Sequence, residues 1–169
     1  MRRASRHFRH NGRADALIHA AVEAAQKVYV LGRRWEMAAA RNIALPTGSE
    51  KAKTVAAMKA AYAGTNALRR LAETMGLDNE TRTLTDRELA LRTAIYNALT
   101  TANAAGDAAR LFGSGMYADG RYELRTLGRR LEGLGVDVPA LDRRAATSLE
   151  GAAHLTLRSN FRRRTSRRR

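Results

Sequence analysis

Apolar residues recur at three- and four-residue steps along most of the chain, and no strand-length stretch alternates apolar with polar positions. The pattern predicts a first helix from about Arg13 to Ala40, with Leu17, Ile18, Ala21, Ala25, Val28 and Trp35 on its apolar face and Asn11 offering an N-cap. Pro46 and Gly48 interrupt it, and Thr47 with Glu50 has the Thr-x-x-Glu form of a capping box. The second helix then carries Val55, Met58, Tyr62, Thr65, Leu68, Ala72 and Met75, and Gly76 stops it. The third start is the clearest: Thr85 and Glu88 form another capping box, with Leu84 and Leu89 spaced as a hydrophobic staple. Leu91, Ile95, Leu99, Ala102, Ala105, Ala109 and Phe112 follow on one face, and Gly113-Ser114-Gly115 ends the run. Asp119 is placed to cap a fourth helix bearing Leu124, Leu127, Leu131 and Leu134. Pro139 falls in the first turn of a fifth, with Leu141, Ala145, Leu149 and Ala152. The expected fold class is all-α, a bundle of five mostly antiparallel helices of which the first three are the longest.

Composition sharpens this picture. Alanine fills 33 of 169 positions, which suits helices that approach closely, since it is both the best helix former and the smallest core side chain. The length is that of one domain. There is no cysteine, so disulfides, thiolate metal sites and thiol nucleophiles are excluded. His7, His10, His19 and His154 lie scattered without a partner at ligand spacing, and neither a metal nor a cofactor is expected. No apolar run is long enough to span a bilayer, and no apolar core follows the cationic N-terminus as a secretory signal would require. A cytoplasmic location is expected, or a place within a virion under the alternative given below.

Charge changes the picture most. The formal net charge is +15, and twelve of those charges sit in two short terminal segments without a single acid. Residues 1–13 hold Arg2, Arg3, Arg6, Arg9 and Arg13; residues 158–169 hold Arg158, Arg162, Arg163, Arg164, Arg167, Arg168 and Arg169. All sixteen acids lie in the body, 14–157. The chain therefore divides into a basic N-terminal arm (1–13), a helical body (14–157) and an arginine-rich C-terminal arm (158–169). Neither arm has the aliphatic residues to build a core, so a polyanion is expected to order them if anything does. Every base in both arms is arginine, whose planar fork matches phosphate and stacks on bases. Each arm also carries one aromatic, Phe8 or Phe161, able to stack on an unpaired base. Without an apolar face, neither arm is built to enter a membrane.

The body offers little catalytic chemistry. Gly113-Ser114-Gly115 with Gly120 superficially resembles a phosphate loop, but a helix precedes it where a strand is required, and no Gly-Lys-Ser/Thr follows. It reads as a helix–helix connection. No metalloprotease or calcium-loop motif is present, and a non-catalytic role is expected. On the fourth helix Arg121, Arg125 and Arg129 recur at four-residue steps, forming a ridge opposite Leu124, Leu127 and Leu131, with Tyr122 beside it and Glu132 within it. Such a ridge could follow a phosphate backbone. The doublets Arg33–Arg34, Arg69–Arg70 and Arg143–Arg144 diverge around their helices and are weaker candidates. Trp35 reads as a core or interface anchor.

Arms and ridge together point to a nucleic-acid-binding subunit of a larger ribonucleoprotein assembly, with other protein subunits as partners. Phosphate contacts position a protein without reading sequence, so recognition should be largely sequence-independent. The arginine–phenylalanine mixture favours RNA or single strands over duplex DNA. In size, all-helical pattern and basic charge, residues from about Arg13 to Leu157 resemble the small helical subunit of CRISPR RNA-guided effector complexes. That resemblance implies a helical body packed along such a complex and touching guide or target strand non-specifically; it carries no diagnostic motif and assigns no residue. The alternative is a structural protein of a virion or other large particle, or a ribosome-associated protein, whose arms grip packaged nucleic acid.

Overall fold

The computed structural model describes the backbone of residues 2–151 and the side chains of 12–151. Five helices and no strand occur among the described residues: α1 (Arg2–Ala40), α2 (Thr47–Thr74), α3 (Asp86–Gly113), α4 (Tyr117–Gly133) and α5 (138–151). The all-helical bundle expected from the periodicity is what forms. At 39 residues and 1.5 Å per residue, α1 is a strut roughly 58 Å long.

α1 starts at Arg2 rather than near Arg13, so Asn11 lies within the helix and does not cap it. Once a helix is nucleated each added residue gains a hydrogen bond, and the segment contains no proline and a single glycine, Gly12, to oppose that. The expected Thr47–Glu50 box is also absent. Pro46 occupies the N-cap position without a side-chain bond, Thr47 is already helical, and Glu50 turns inward to pair with Arg34. A buried guanidinium is a stronger partner for that carboxylate than an exposed backbone N–H. Asp119 likewise lies inside the first turn of α4, whose N-cap is Met116. The turn closing α3 feeds straight into α4 and leaves no further residues for a cap.

Other boundaries follow the sequence closely. The Thr85–Glu88 box forms in both directions, at 3.2 Å from the Glu88 N–H to the Thr85 hydroxyl and 3.3 Å from the Thr85 N–H to the Glu88 carboxylate. Of the staple pair, Leu84 packs against the core while Leu89 stays exposed. Asp137 caps α5 through the Ala140 N–H at 3.1 Å, with Pro139 in the first turn. α2 ends in a Schellman turn: Gly76 takes φ +67°, Leu77 N–H donates to Ala72 at 3.0 Å, and Gly76 N–H donates to Glu73 at 3.0 Å. The same paired bonds end α1 at Asn42–Ile43, α3 at Gly115–Met116 and α4 at Gly135–Val136.

α3 is the central helix, packed against α1, α2 and α4. Ile95, Ala98, Ala102, Ala105, Ala108 and Ala109 are buried along it, and small side chains let three neighbours approach. The core has two parts. At one end the start of α1 (Ala14, Ala21), the end of α2 (Leu68, Leu71, Ala72) and the start of α3 (Ile95, Ala98, Ala102) form a three-helix bundle closed by Leu77. At the other, Val28, Tyr29, Ala109 and Phe112 meet Leu124, Leu127 and Leu131 of α4 and Leu141 of α5. The α2 face is as expected over the second half of the helix, where Thr65, Leu68 and Ala72 are buried, and is shifted by one residue over the first half. Thr54 and Ala61 are buried, Val55 is 40% exposed and Tyr62 is only half-buried. Tyr62 instead reaches across α3 to donate to Asp107 at 2.6 Å. Of the expected α5 face, Leu141, Ala145 and Leu149 are buried, and Ala152 lies outside the described residues.

Ion pairs tie one end of the bundle. Arg34 of α1 pairs with the buried Glu50 of α2 and donates to Ser148 of α5 at 2.8 Å. Removing either charged partner would leave an uncompensated buried charge, at a cost of about 3–5 kcal/mol. Next to it Arg33 donates to Glu36 at 2.7 Å and to Asp142 of α5 at 2.9 Å, and Tyr29 donates to Asp142 at 2.9 Å. Burial, then the bond to Asp142, pushes the Tyr29 phenol well above its usual range, so it stays a donor. Burial alone would lower Arg33, but its bonds to Asp142 and Glu36 outweigh that and raise it.

Ile95 is fully buried and Thr85 is an exposed cap, so the two test core and boundary separately. Ile95→Ala should cost about 2–5 kcal/mol in denaturant melts, and Thr85→Ala about 0.5–2 kcal/mol. The reverse ranking would contradict the packing. The Glu88 carboxyl is held below the usual range, chiefly by the Thr85 backbone N–H and then by the Thr85 hydroxyl and Arg82. A lowered folded pKa means its contribution is present above the ordinary glutamate range and is lost as pH falls through the lowered value. The part of the Thr85→Ala penalty that comes from the hydroxyl bonding the ionised carboxylate should therefore shrink in acid, while the backbone N–H bond persists in the variant.

Candidate nucleic-acid interface

The ridge predicted on α4 is present and faces outward. Leu124, Leu127 and Leu131 are at most 1% exposed, while Arg121, Arg125 and Arg129 on the opposite side are all exposed. The leucine row is seated by a close approach to α1: a Cβ on Gly32 would lie 2.7 Å from a Leu124 methyl. That contact fixes the rotation of α4, and with it the direction of the arginines. Four-residue spacing places the guanidinium stems about 6 Å apart along the axis.

None of the three ridge arginines is ion-paired among the described residues, whereas Arg33, Arg34, Arg82 and Arg143 all are. Glu132, expected to weaken the ridge, is exposed and makes no ion pair with it. Exposed Arg41, Arg69, Arg70, Arg87 and Arg130 are likewise without an ion pair among the described residues, and the ridge differs from them in setting three arginines in one row. Arg33 and Arg34, a doublet whose members diverge around α1, cross-link helices; Arg121, Arg125 and Arg129 keep their donors for an outside acceptor. Each fork can hold a phosphate through two parallel bonds.

The four-residue register extends one step beyond the predicted ridge, to Tyr117 at the first turn of α4. Tyr117 is 42% exposed, and its ring lies 5.5 Å from Trp35 and 6.1 Å from Phe112. Tyr117 and Arg121 also line a cleft of about 680 Å³ between the end of α1, the α1–α2 connection and the start of α4. Trp35 lines it too, and packs against the adjoining core as an anchor. Its indole N–H is buried without a hydrogen-bond partner among the described residues. Spacing alone could have shown Tyr117 at the head of the ridge; its meeting with Trp35 comes from the close of the bundle.

The remaining candidates are placed less fully. Arg13 is exposed on α1, and Arg2, Arg3, Arg6, Phe8 and Arg9 stand on the first turns of the same helix, with side chains outside the described set. Arg158, Phe161, Arg162, Arg163, Arg164, Arg167, Arg168 and Arg169 lie outside the described residues. Gly113-Ser114-Gly115 closes α3 and joins it to α4, as a helix connection should. Among the described residues no group of three or more His, Asp or Glu converges on a common point, and no helix is long and apolar enough to cross a membrane.

Changing Arg121, Arg125 and Arg129 together to glutamine should flatten the log–log salt dependence of single-strand binding by about 2, near 0.7 for each phosphate that is no longer neutralised. Since the three are exposed and unpaired, stability should move by no more than about 0.5 kcal/mol per site. An unchanged salt slope, measured by fluorescence anisotropy over a salt series, would take the ridge out of the interface.

Compared with known proteins, the chain matches no family model, no curated protein and no solved structure.

Proposed function

We propose that this chain is a non-catalytic, largely sequence-independent nucleic-acid-binding subunit of a cytoplasmic multi-subunit ribonucleoprotein assembly. The observation that carries the reading is the segregation of arginine. Arg33 and Arg34 pair with Glu36, Asp142 and Glu50 and hold helices together, while the α4 ridge sets three exposed arginines in one row without an ion-pair partner among the described residues. The terminal segments add twelve arginines and no acid at all. A surface of this kind neutralises phosphate and releases condensed counterions, which gives affinity without base reading. An RNA-guided CRISPR effector complex, whose small helical subunit this chain resembles, is the assembly we propose first. A virion or ribosomal particle would use the same phosphate chemistry.

Deleting residues 158–169 removes seven cations. If each meets one phosphate of a single strand, the salt slope should fall by at most about 5, and affinity should drop alike for unrelated sequences. Replacing the same arginines with lysine should keep much of the slope while weakening bidentate and stacking interactions. A drop in affinity for one sequence only would contradict sequence-independent binding. Co-purification from the native host, before and after nuclease, identifies the assembly: partners that persist through nuclease are held by protein contacts, and those released are held by the nucleic acid.

A further inference from the structure

We propose that the cleft at the head of the α4 ridge seats one unpaired nucleobase, stacked on Tyr117, while the phosphates of the same strand run along Arg121, Arg125 and Arg129. The proposal rests on the nucleic-acid-binding reading above and names the form of nucleic acid that the body takes. Three observations support it. Tyr117, Arg121, Arg125 and Arg129 stand at successive four-residue steps, so an aromatic begins the row that the arginines continue. The Tyr117 ring is backed by Trp35 and Phe112 at 5.5 and 6.1 Å, yet keeps 42% of its surface open. The two neighbouring rings are tilted by 43° and 53° against it and hold it in place, and the exposed part of the ring is what a base could stack on.

The cleft itself supplies the third. Its volume of about 680 Å³ falls in the range of small-ligand pockets, and Ile43, Leu45, Trp35, Phe112 and Tyr117 give it a largely apolar lining, while its one acid, Glu36, is paired with Arg33. Arg121 belongs both to this lining and to the ridge, so an occupant of the cleft lies next to a cation that continues into a cationic row. A purely apolar ligand has no use for that charge, and an acidic ligand without a flat apolar part has none for the aromatic wall. A nucleotide has both parts. Bases within a duplex are stacked and paired, so only a single strand, loop or end can present a free base face here.

Trp35 is the only tryptophan of the chain, so its fluorescence reports on this cleft without a label. The full-length protein is titrated at low salt with a short single-stranded oligonucleotide, the matching duplex, and the same single strand carrying abasic sites. Binding is followed by anisotropy and Trp35 emission in parallel, and RNA and DNA versions are compared. The intact single strand should quench Trp35; the duplex and the abasic strand should bind through their phosphates with little quenching. Tyr117→Ala should abolish the quench and weaken single-strand binding about 5- to 100-fold, as expected when one base no longer stacks, with the salt slope unchanged. Tyr117→Leu keeps apolar bulk against Trp35 without a stacking face and should behave the same way; Tyr117→Phe should retain both signals.

Three results would overturn the base cleft and leave the nucleic-acid reading intact. One is single-strand binding with Trp35 emission unmoved and Tyr117→Leu as tight as the original chain. Another is equal quenching by intact and abasic strands. The third is emission that changes with protein concentration alone, which would assign the cleft to a second copy of the chain or another protein helix. Failure of every oligonucleotide to bind at low salt would defeat the underlying reading as well.

Discussion

The seating of α4 is the constraint on which the surface chemistry depends. Leu124, Leu127 and Leu131 occupy one narrow row and are almost wholly removed from water against α1 and α3. Burying each is worth about 1.5–3 kcal/mol, and side chains one residue along a helix point about 100° away. The helix therefore has a single favourable rotation, and that rotation sends Arg121, Arg125 and Arg129 outward. Gly32 makes the fit close enough to be specific, since a methyl there would strike Leu124. The candidate interface is thus the reverse side of a core contact.

A second constraint sorts the arginines. Arg34 is nearly buried, pairs with Glu50 and bonds to Ser148, joining three helices; Arg33 joins α1 to α5 through Asp142. These groups are committed to the fold. One oxygen of Glu50 and the Arg34 Nε remain without partners among the described residues, so the pair is better understood as fixing the packing of α1, α2 and α5 than as adding large net stability. The α4 ridge faces solvent without an ion-pair partner among the described residues, although Asp119, Glu123 and Glu132 stand on the same helix. Opposite roles for chemically identical side chains come from burial alone.

Much of this was legible in the sequence because helical periodicity and end chemistry are local. The capping box at Thr85, the stop at Gly76, Pro139 in the first turn of α5 and the opposed rows of α4 all follow from spacing. What escaped was decided by distant residues. Thr47–Glu50 has the same form as Thr85–Glu88, but Glu50 meets a buried arginine from another helix. Over the first half of α2 the buried face lies one residue from its expected place because large side chains point to Val55 and Tyr62, whereas close packing selects Thr54 and Ala61. In an alanine-rich helix size is a poor guide to burial, since the smallest residues give neighbours the closest approach. Tyr117 is in register with the ridge, but its backing by Trp35 and Phe112 joins three helices and has no local signature.

Arginine footprinting of the full-length chain tests the central claim most directly, because it reads guanidinium groups one by one. The protein is treated with an arginine-selective dicarbonyl with and without a single-stranded oligonucleotide, and modification is mapped by mass spectrometry. The ridge predicts that Arg121, Arg125 and Arg129 are reactive in the free protein and protected together when the strand binds, while exposed Arg69, Arg70 and Arg87 on other helices react equally in both states. Ridge arginines that react to the same extent with and without bound strand would contradict the claim that α4 carries the interface.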